Sequence, residues 1–232
     1  MTEPGPPAVS IIVPVLNEAA GIVAMLDALQ GWRGHCAELI VVDGGSTDDT
    51  CALAAPRCDR LIDALRGRAA QMNAGAASSR GALLLFLHAD TTLPPDAPRL
   101  LASLAARAPV WGRFDVSLSG AHPLLGLIAS CMNWRSRLTA VATGDQAMFI
   151  SRDLFAECGG FPVLPLMEDI ALSKHLRRVQ RPACLASRVV TSGRRWEEGG
   201  VLRTMGLMWA LRLGYVLGVP PSRLARWYRH TR

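Results

Sequence analysis

The chain has 232 residues, of which 50% are hydrophobic and 19% are charged, a composition that excludes wholesale disorder and allows a substantial core. The formal charge of +6 is uneven, because residues 176–232 carry 12 basic against 2 acidic side chains, whereas residues 1–175 carry 13 against 17. The six cysteines form no CxxC pair and no zinc-like cluster, which predicts reduced thiols. Residues 1–10 lack a basic segment followed by an apolar one, so we expect no secretory signal and a cytoplasmic location.

Short apolar runs alternate with helix-like segments through the first half of the chain. The predicted strands are residues 9–15, 38–43, 60–64 and 83–90. The run that begins at residue 83 has five apolar residues in succession, which is typical of a parallel strand covered on both faces. Helical spacing after the first strand and a small-residue segment at 67–79 predict connecting helices. Four β-α repeats predict an α/β fold with a doubly wound, mostly parallel sheet flanked by helices.

The alternation weakens after residue 95. Further predicted elements are helices at 96–107, 124–138, 153–158 and 167–179 and strands at 111–118 and 147–150. The apolar segment 201–219 contains Arg203 and Arg212, each of which costs roughly 2.5–3.5 kcal/mol near the centre of a bilayer. We therefore expect an interfacial or core-packed helix there, and a basic helix after it. The predicted organisation is a main domain at 1–200 and a basic amphipathic helical extension at 201–232.

Two acidic residues end predicted strands. Asp43 precedes two glycines and could accept hydrogen bonds from a base or a ribose, or could make an Asx turn. Asp90 ends the 83–90 strand, where ligands of open parallel sheets collect. Its carboxylate could ligate a divalent cation that bridges a diphosphate, or could cap the turn that follows. His88 beside it could face the ligand or serve as a structural histidine.

Charged residues elsewhere offer further chemistry. Arg68 follows a glycine at a helix start and could contact a phosphate, or could be solvated. Glu168 and Asp169 open a helix, where one carboxylate could act as a general base or both could complement the helix dipole. Arg194 and Arg195, followed by Trp196, could clamp a diphosphate or a lipid phosphate, or form a solvated basic turn. The turn 144–146 could meet substrate from a loop.

Seven short motifs together resemble one known family. In chain order they are IIVPVLNE (11–18), VVDGGSTDDT (41–50), GRAAQMNAG (67–75), FLHAD (86–90), GDQAMFI (144–150), GGFP (159–162) and MED (167–169). Their order is similar to that of a family 2 glycosyltransferase with the glycosyltransferase A fold. The HAD, GDQ, MED and RRW details resemble a small bacterial branch of transferases associated with radical-SAM or selenium proteins. The resemblance covers roughly residues 8–180.

The resemblance implies roles for individual residues. The residues expected to line the nucleotide pocket are Pro14, Asn17, Glu18 and Asp43, with Arg68 contacting the nucleotide. Asp90 is expected to bind Mg²⁺ or Mn²⁺ held by the diphosphate. Asp169 takes the general-base role and Glu168 supports it. The family's acidic tip usually begins with Asp, but here it begins with His88, which becomes a second metal ligand or a ribose contact.

The expected function is therefore an inverting, metal-assisted transfer of a sugar from a nucleotide-sugar donor to an acceptor hydroxyl. A UDP-sugar is the expected donor, the acceptor is unidentified, and no nucleic acid is expected as a partner. The basic C-terminus predicts peripheral contact with an anionic membrane surface at its cytoplasmic face. Two alternatives are a nucleotide-sugar-binding protein without turnover and a nucleotidyltransferase. The second would be expected to carry a glycine-rich, basic loop after strand one, where this chain has PVLNEAAG.

Overall fold

A computed structural model describes residues 7–34, 36–107 and 109–230 and shows an eight-stranded sheet flanked by helices. The strands are β1 (Val9–Val15), β2 (Ala37–Asp43), β3 (Arg60–Asp63), β4 (Leu83–Phe86), β5 (Thr91–Thr92), β6 (Trp111–Ser119), β7 (Met148–Ser151) and β8 (Ala183–Ser192). The helices are α1 (Ala19–Asp27), α2 (Thr50–Ala54), α3 (Arg68–Ala77), α4 (Ala97–Ala105), α5 (Leu125–Thr139), α6 (Arg152–Glu157), α7 (Glu168–Val179), α8 (Arg194–Glu198), α9 (Val201–Val216) and α10 (Pro221–His230). The predicted α/β class is confirmed.

The sheet has the strand order β3-β2-β1-β4-β7-β6-β8-β5. The first four neighbours, β3, β2, β1 and β4, are parallel, as the β-α repeats predict. β7 is antiparallel to both β4 and β6, so the complete sheet is mixed. Because β7 runs the other way, its first residue, Met148, pairs with the last residue of β4, Phe86. The segment before β7 is thereby brought to the carboxyl end of β4.

Alternate residues of the central strands enter two separate hydrophobic clusters, one on each face of the sheet. Ile11 and Val13 of β1 belong to the cluster that contains Leu85, whereas Ile12 belongs to the cluster that contains Phe86. Burial on both faces explains why these strands are apolar at successive positions rather than at every second one. The predicted strand 83–90 ends at Phe86, so that the 88–90 tip lies in a loop beyond the sheet.

The C-terminal helices pack on the rest of the protein. Leu211 of α9 and Leu224 of α10 are buried in a third cluster with Met167 and Ile170, next to the start of α7. This is the core-packed alternative for the segment 201–219. Within the described ranges, every helix is too short or too polar to cross a bilayer. Residues 1–6 of the stretch inspected for a signal, and 231–232 of the predicted extension, lie outside the described residues.

Candidate active site

The loops after β1 and β2 are joined by hydrogen bonds at the carboxyl edge of the sheet. Asn17 has a left-handed backbone (φ 55°), which asparagine tolerates better than most residues. Its amide nitrogen donates to Ser46 Oγ (2.9 Å), and its Oδ1 accepts from the amide of Thr47 (2.8 Å). The amide of Glu18 donates to Thr50 Oγ1 (2.8 Å). The two loops therefore form one rigid wall, and Pro14 lies half-buried in β1 beneath it.

Asp43 is 4% exposed and organises the turn that follows β2. Its Oδ2 accepts from the amides of Gly45 and Ser46, each at 2.9 Å, and its Oδ1 accepts from the Ser46 hydroxyl. Burial opposes ionisation, but these hydrogen bonds outweigh it, and the pKa of Asp43 lies below its ordinary value. The Asx-turn alternative thus describes the contacts that this carboxylate makes. Asp43 would therefore influence a bound nucleotide indirectly, by fixing the position of the loop that contains Gly45 and Ser46.

Glu18 and Asp90 face each other across this edge. Burial raises the pKa of Glu18, the Asp90 carboxylate raises it further, and Arg194 and Arg68 oppose the rise. Asp90 itself is exposed, and its Oδ1 lies 3.3 Å from the Thr91 hydroxyl. Within the described part of the chain, Asp90 Oδ2 accepts no hydrogen bond. An exposed carboxylate with one open oxygen suits a hard cation.

A hydroxyl from β8, the strand that pairs with β5, also reaches Asp90. Thr191 on β8 places its Oγ1 at 3.4 Å from Asp90 Oδ1 and 3.0 Å from Thr91 Oγ1. Neither β8 nor this contact is predicted from the sequence. The β8 sequence ACLASRVVTS mixes apolar and polar residues without strict alternation, so its pattern gives only a weak strand signal.

His88 turns away from Asp90 toward the 144–146 turn. Its Nδ1 lies 3.4 Å from Asp145 Oδ1, and its side chain is only 12% exposed. A Cβ on Gly144 would lie 2.5 Å from Cε1 and Nε2 of the ring, so the absence of a side chain at 144 is what admits the imidazole. Burial opposes ionisation of Asp145, but the hydrogen bond and charge of His88, together with the charge of Arg68, hold its pKa below the ordinary value.

The two acidic residues at the start of α7 adjoin the same turn. Asp169 Oδ2 accepts from the Gly144 amide (2.9 Å), and its Oδ1 accepts from the Ile170 amide (2.7 Å). Glu168 is 7% exposed. Burial raises the pKa of both carboxyls; Asp169 adds to the rise at Glu168, and Asp145 adds to that at Asp169. The site therefore holds a fixed carboxylate with increased proton affinity, as general-base chemistry requires.

A pocket separates these acids from the C-terminal helices. Its charged lining includes Arg68, His88, Asp145, Glu168 and Asp169. The lining also includes Leu166, Arg195, Met208, Leu211, Arg212 and Tyr228. Arg195 donates to the Tyr228 hydroxyl, and its guanidinium lies 4.0 Å from the centre of that ring. The predicted C-terminal extension thus contributes a wall of this pocket, which the sequence analysis did not anticipate.

Two polar side chains of α3, Asn73 and the buried Gln71, hold neighbouring backbone segments in place. Asn73 exchanges hydrogen bonds with the backbone of Phe161 (2.8 and 2.9 Å), so it fixes the 159–162 turn. Gln71, which was not singled out from the sequence, donates to the carbonyls of Val15 (2.8 Å) and Val42 (2.9 Å) and joins the ends of β1 and β2. Gln71 lies three residues after Arg68 on α3, and this spacing, which places both side chains on the same face of the helix, is the feature of the sequence that points to Gln71.

Arg135 on α5 adds a positive charge near the acids. Its Nε and Nη2 are shielded from solvent and have no hydrogen-bond partner among the described residues. Burial lowers the pKa of this guanidinium, whereas the charges of Asp169 and Asp145 raise it. Buried polar groups are usually hydrogen-bonded, so Arg135 is an exception. Its charge interacts with those of Asp169 and Asp145 without a direct hydrogen bond.

Comparisons with known proteins identify the family of the chain. A family model described as "Glycosyl transferase family 2" matches residues 10–155. A relative named "PGL/p-HBAD biosynthesis glycosyltransferase", from Mycobacterium bovis (strain BCG / Pasteur 1173P2), is 44% identical over 94 residues. The match covers 38% of this chain and 37% of that relative, so the chain spans less than two fifths of the relative's length.

Two solved structures resemble the fold over most of the chain. Glucosyl-3-phosphoglycerate synthase from Mycobacterium tuberculosis, in complex with Mn²⁺, UDP and glucosyl-3-phosphoglycerate, superposes with a TM-score of 0.64 at 22% identity. That likeness covers 93% of this chain and 81% of the other. The mannosyltransferase PcManGT from Pyrobaculum calidifontis, in complex with GDP-Man and Mn²⁺, gives a TM-score of 0.63 at 20% identity and covers 97% and 70%. At these identities the likeness concerns the fold.

Proposed function

The chain belongs to glycosyltransferase family 2, and from that premise we propose that it moves a sugar from a nucleotide-sugar donor to an acceptor hydroxyl with inversion. The observation that carries the proposal is the setting of Asp169. Two backbone amides fix this carboxylate, burial raises its pKa, and it lines a pocket together with Arg68, whose charge also acts on Glu18. The HAD, GDQ, MED and RRW motifs support membership of the small bacterial branch associated with radical-SAM or selenium proteins.

The donor occupies the open edge at the ends of β1 and β2. The joined loops around Asn17 and Asp43 offer a rigid surface for the nucleoside, with Pro14 beneath and Glu18 alongside. Arg68 at the start of α3 compensates phosphate charge. A UDP-sugar is the proposed donor, supported by the UDP named in the mycobacterial neighbour, whereas the archaeal neighbour is named with GDP-Man.

The residues present fit a divalent cation of the kind both neighbours are named with. Asp90 would hold Mg²⁺ or Mn²⁺ through its open oxygen, and Glu18 stands across from it. Among the described residues, no group of three or more potential ligands could hold a metal alone, so diphosphate oxygens would supply part of the coordination. The bound cation would neutralise charge on the leaving diphosphate. His88 is assigned to Asp145 in this proposal, not to the metal.

The protein's own residues then perform a single displacement. Asp169 accepts the proton of the acceptor hydroxyl as the oxygen bonds to the anomeric carbon. The bond from that carbon to the diphosphate breaks on the opposite face, and the nucleoside diphosphate leaves with the electron pair. Arg68, with Arg195 across the pocket, stabilises the developing negative charge. Glu168, the buried neighbour of Asp169 whose own pKa is raised by burial and by the Asp169 charge, supports it in this role.

The experiment that tests this function uses Asp169→Asn with a donor identified by a thermal-shift screen of nucleotide sugars with and without Mn²⁺. Loss of a general base should lower turnover about 10²- to 10⁴-fold while donor affinity changes little. Asp153→Asn, which removes an exposed carboxylate on α6, is the matched control and should retain activity. Full turnover in the Asp169 variant would overturn the assignment. Tight donor binding without transfer to any acceptor would instead favour the non-catalytic alternative.

We also propose that the enzyme contacts an anionic membrane peripherally through α9. Leu202, Trp209 and Val216 on its outer face are 67%, 74% and 70% exposed, and this part of the chain is strongly basic. Vesicles containing anionic lipid should capture the protein in flotation, less so at high salt. Trp209→Ser should weaken capture, whereas Trp134→Ser, which removes an equally prominent indole from α5, should not. Equal losses would refute a role specific to α9.

A further inference from the structure

Helix α9 carries different chemistry on successive strips of its surface. At about 100° per residue, the exposed side chains Leu202, Met205, Trp209, Leu213 and Val216 fall within an arc of roughly 80°. Met208 and Leu211 lie on the other side, where they line the pocket. The same helix therefore presents an apolar stripe to solvent and an apolar wall to the acidic residues.

Arg212 lies at the boundary between these two strips. By helical angle it is next to the exposed stripe, and its side chain lines the pocket. Within the described ranges Arg212 forms no hydrogen bond and no ion pair. A guanidinium at the edge of a pocket, not engaged by the described protein groups, is suited to bind a carboxylate or a phosphate.

The pocket thus combines three features around one space. Asp169 provides a base, Arg212 provides a cation at the rim, and Leu166, Met208 and Leu211 provide apolar surface between them. A small polar acceptor would leave the apolar surface without a partner, and an uncharged lipid would leave Arg212 without one. Only a molecule with both an apolar part and an anionic group matches all three.

We propose that the acceptor is an amphiphile whose headgroup carries both an anionic group and the hydroxyl that is glycosylated. The inference rests on the proposed function. The anionic group binds Arg212, the hydroxyl faces Asp169, and the apolar chain leaves the pocket along the exposed stripe of α9. In the reaction the acceptor O–H bond breaks and its proton passes to Asp169. The oxygen bonds to the anomeric carbon as the nucleoside diphosphate departs with the electron pair.

Short-chain phosphatidylglycerol provides a probe that has all three parts. Dihexanoyl phosphatidylglycerol, kept below its critical micelle concentration, is titrated into the full chain by calorimetry. Glycerol 3-phosphate removes the apolar chains, and dihexanoyl phosphatidylcholine removes the net negative charge and the free hydroxyls. We expect phosphatidylglycerol to bind at least about tenfold more tightly than either. Equal affinity for glycerol 3-phosphate would reduce the site to one for free phosphate, and equal affinity for phosphatidylcholine would exclude anion recognition; either result overturns the proposal.

The helix itself offers a matched pair of variants. Arg212→Gln and Arg203→Gln each remove one arginine from α9, but Arg203 does not line the pocket. Arg212→Gln should weaken phosphatidylglycerol binding about tenfold and Arg203→Gln should not. Equal effects would attribute binding to surface charge and refute the assignment. Affinity for UDP with Mn²⁺ is measured on the same samples and tests the proposed function separately. A protein that does not bind UDP would contradict the proposed function, even if it bound phosphatidylglycerol.

Discussion

The contact between His88 and Gly144 makes a quantitative prediction about side-chain coupling. In Gly144→Ala the new methyl group would lie 2.5 Å from two atoms of the imidazole, about 1 Å inside an ordinary contact. The ring is 12% exposed and is held toward Asp145, so it has little room to move. Overpacking of this kind costs about 1–3 kcal/mol. Gly144 does not have a left-handed backbone, so alanine itself is conformationally allowed there.

The same substitution should behave differently once the ring is gone. In a His88→Ala background the clash is absent, and replacing glycine by alanine should be neutral or stabilising by about 0.4–1 kcal/mol through the unfolded chain. The four proteins of this cycle are compared by urea unfolding, with UDP affinity as a second measurement. Gly144→Ala should lower stability in the parent and not in the His88→Ala protein. A cost that agrees within about 0.5 kcal/mol in both backgrounds would refute the steric reasoning.

Three further outcomes follow from other contacts. Asn73→Ala should destabilise by about 2 kcal/mol in denaturant unfolding, because it leaves the Phe161 amide and carbonyl without their partners; an unchanged midpoint would contradict this. Glu168→Gln should be more stable than the parent at pH 8, with the difference vanishing toward the ordinary carboxyl pKa of 4.5. In the folded protein the raised pKa of Glu168 means that its carboxyl holds its proton more tightly than in the unfolded chain. The parent therefore loses stability as the pH rises from the ordinary pKa to the raised one, whereas the glutamine variant does not. Asp90→Asn should abolish the effect of Mn²⁺ on UDP affinity measured by calorimetry, and a retained effect would remove Asp90 from the metal site.

The strands in the first half of the chain could be predicted because strands buried on both faces have mostly apolar sequences. β1 and β2 are covered on both faces, and their largely apolar sequences predict their bounds almost to the residue. Asp43, the last residue of β2, and Asp90, in the loop beyond β4, could be placed near the carboxyl edge of the sheet for the same reason, and their roles stay predictions.

Contacts between distant segments could not be predicted in this way. Thr191 reaches Asp90 from β8, and Tyr228 meets Arg195 from the final helix, although neither threonine nor tyrosine stands in a distinctive local pattern. The direction of β7 also has no signature in its four residues, yet it decides that the 144–146 turn meets His88. The sequence shows that these residues are polar, but which residues they contact depends on the order and direction of the strands and on the packing of the helices.

The pairing of Asp90 with Thr191 also sets the order in which the site can form during synthesis. The two residues are 101 positions apart, so at about 5–20 residues per second the carboxylate is made roughly 5–20 s before the hydroxyl that steadies it. By then β1 to β4, which pair only with one another and with β7, are already complete. A chain truncated before β8 would therefore contain the residues of all its parallel strands from β1 to β4 but would lack the hydroxyl that contacts Asp90.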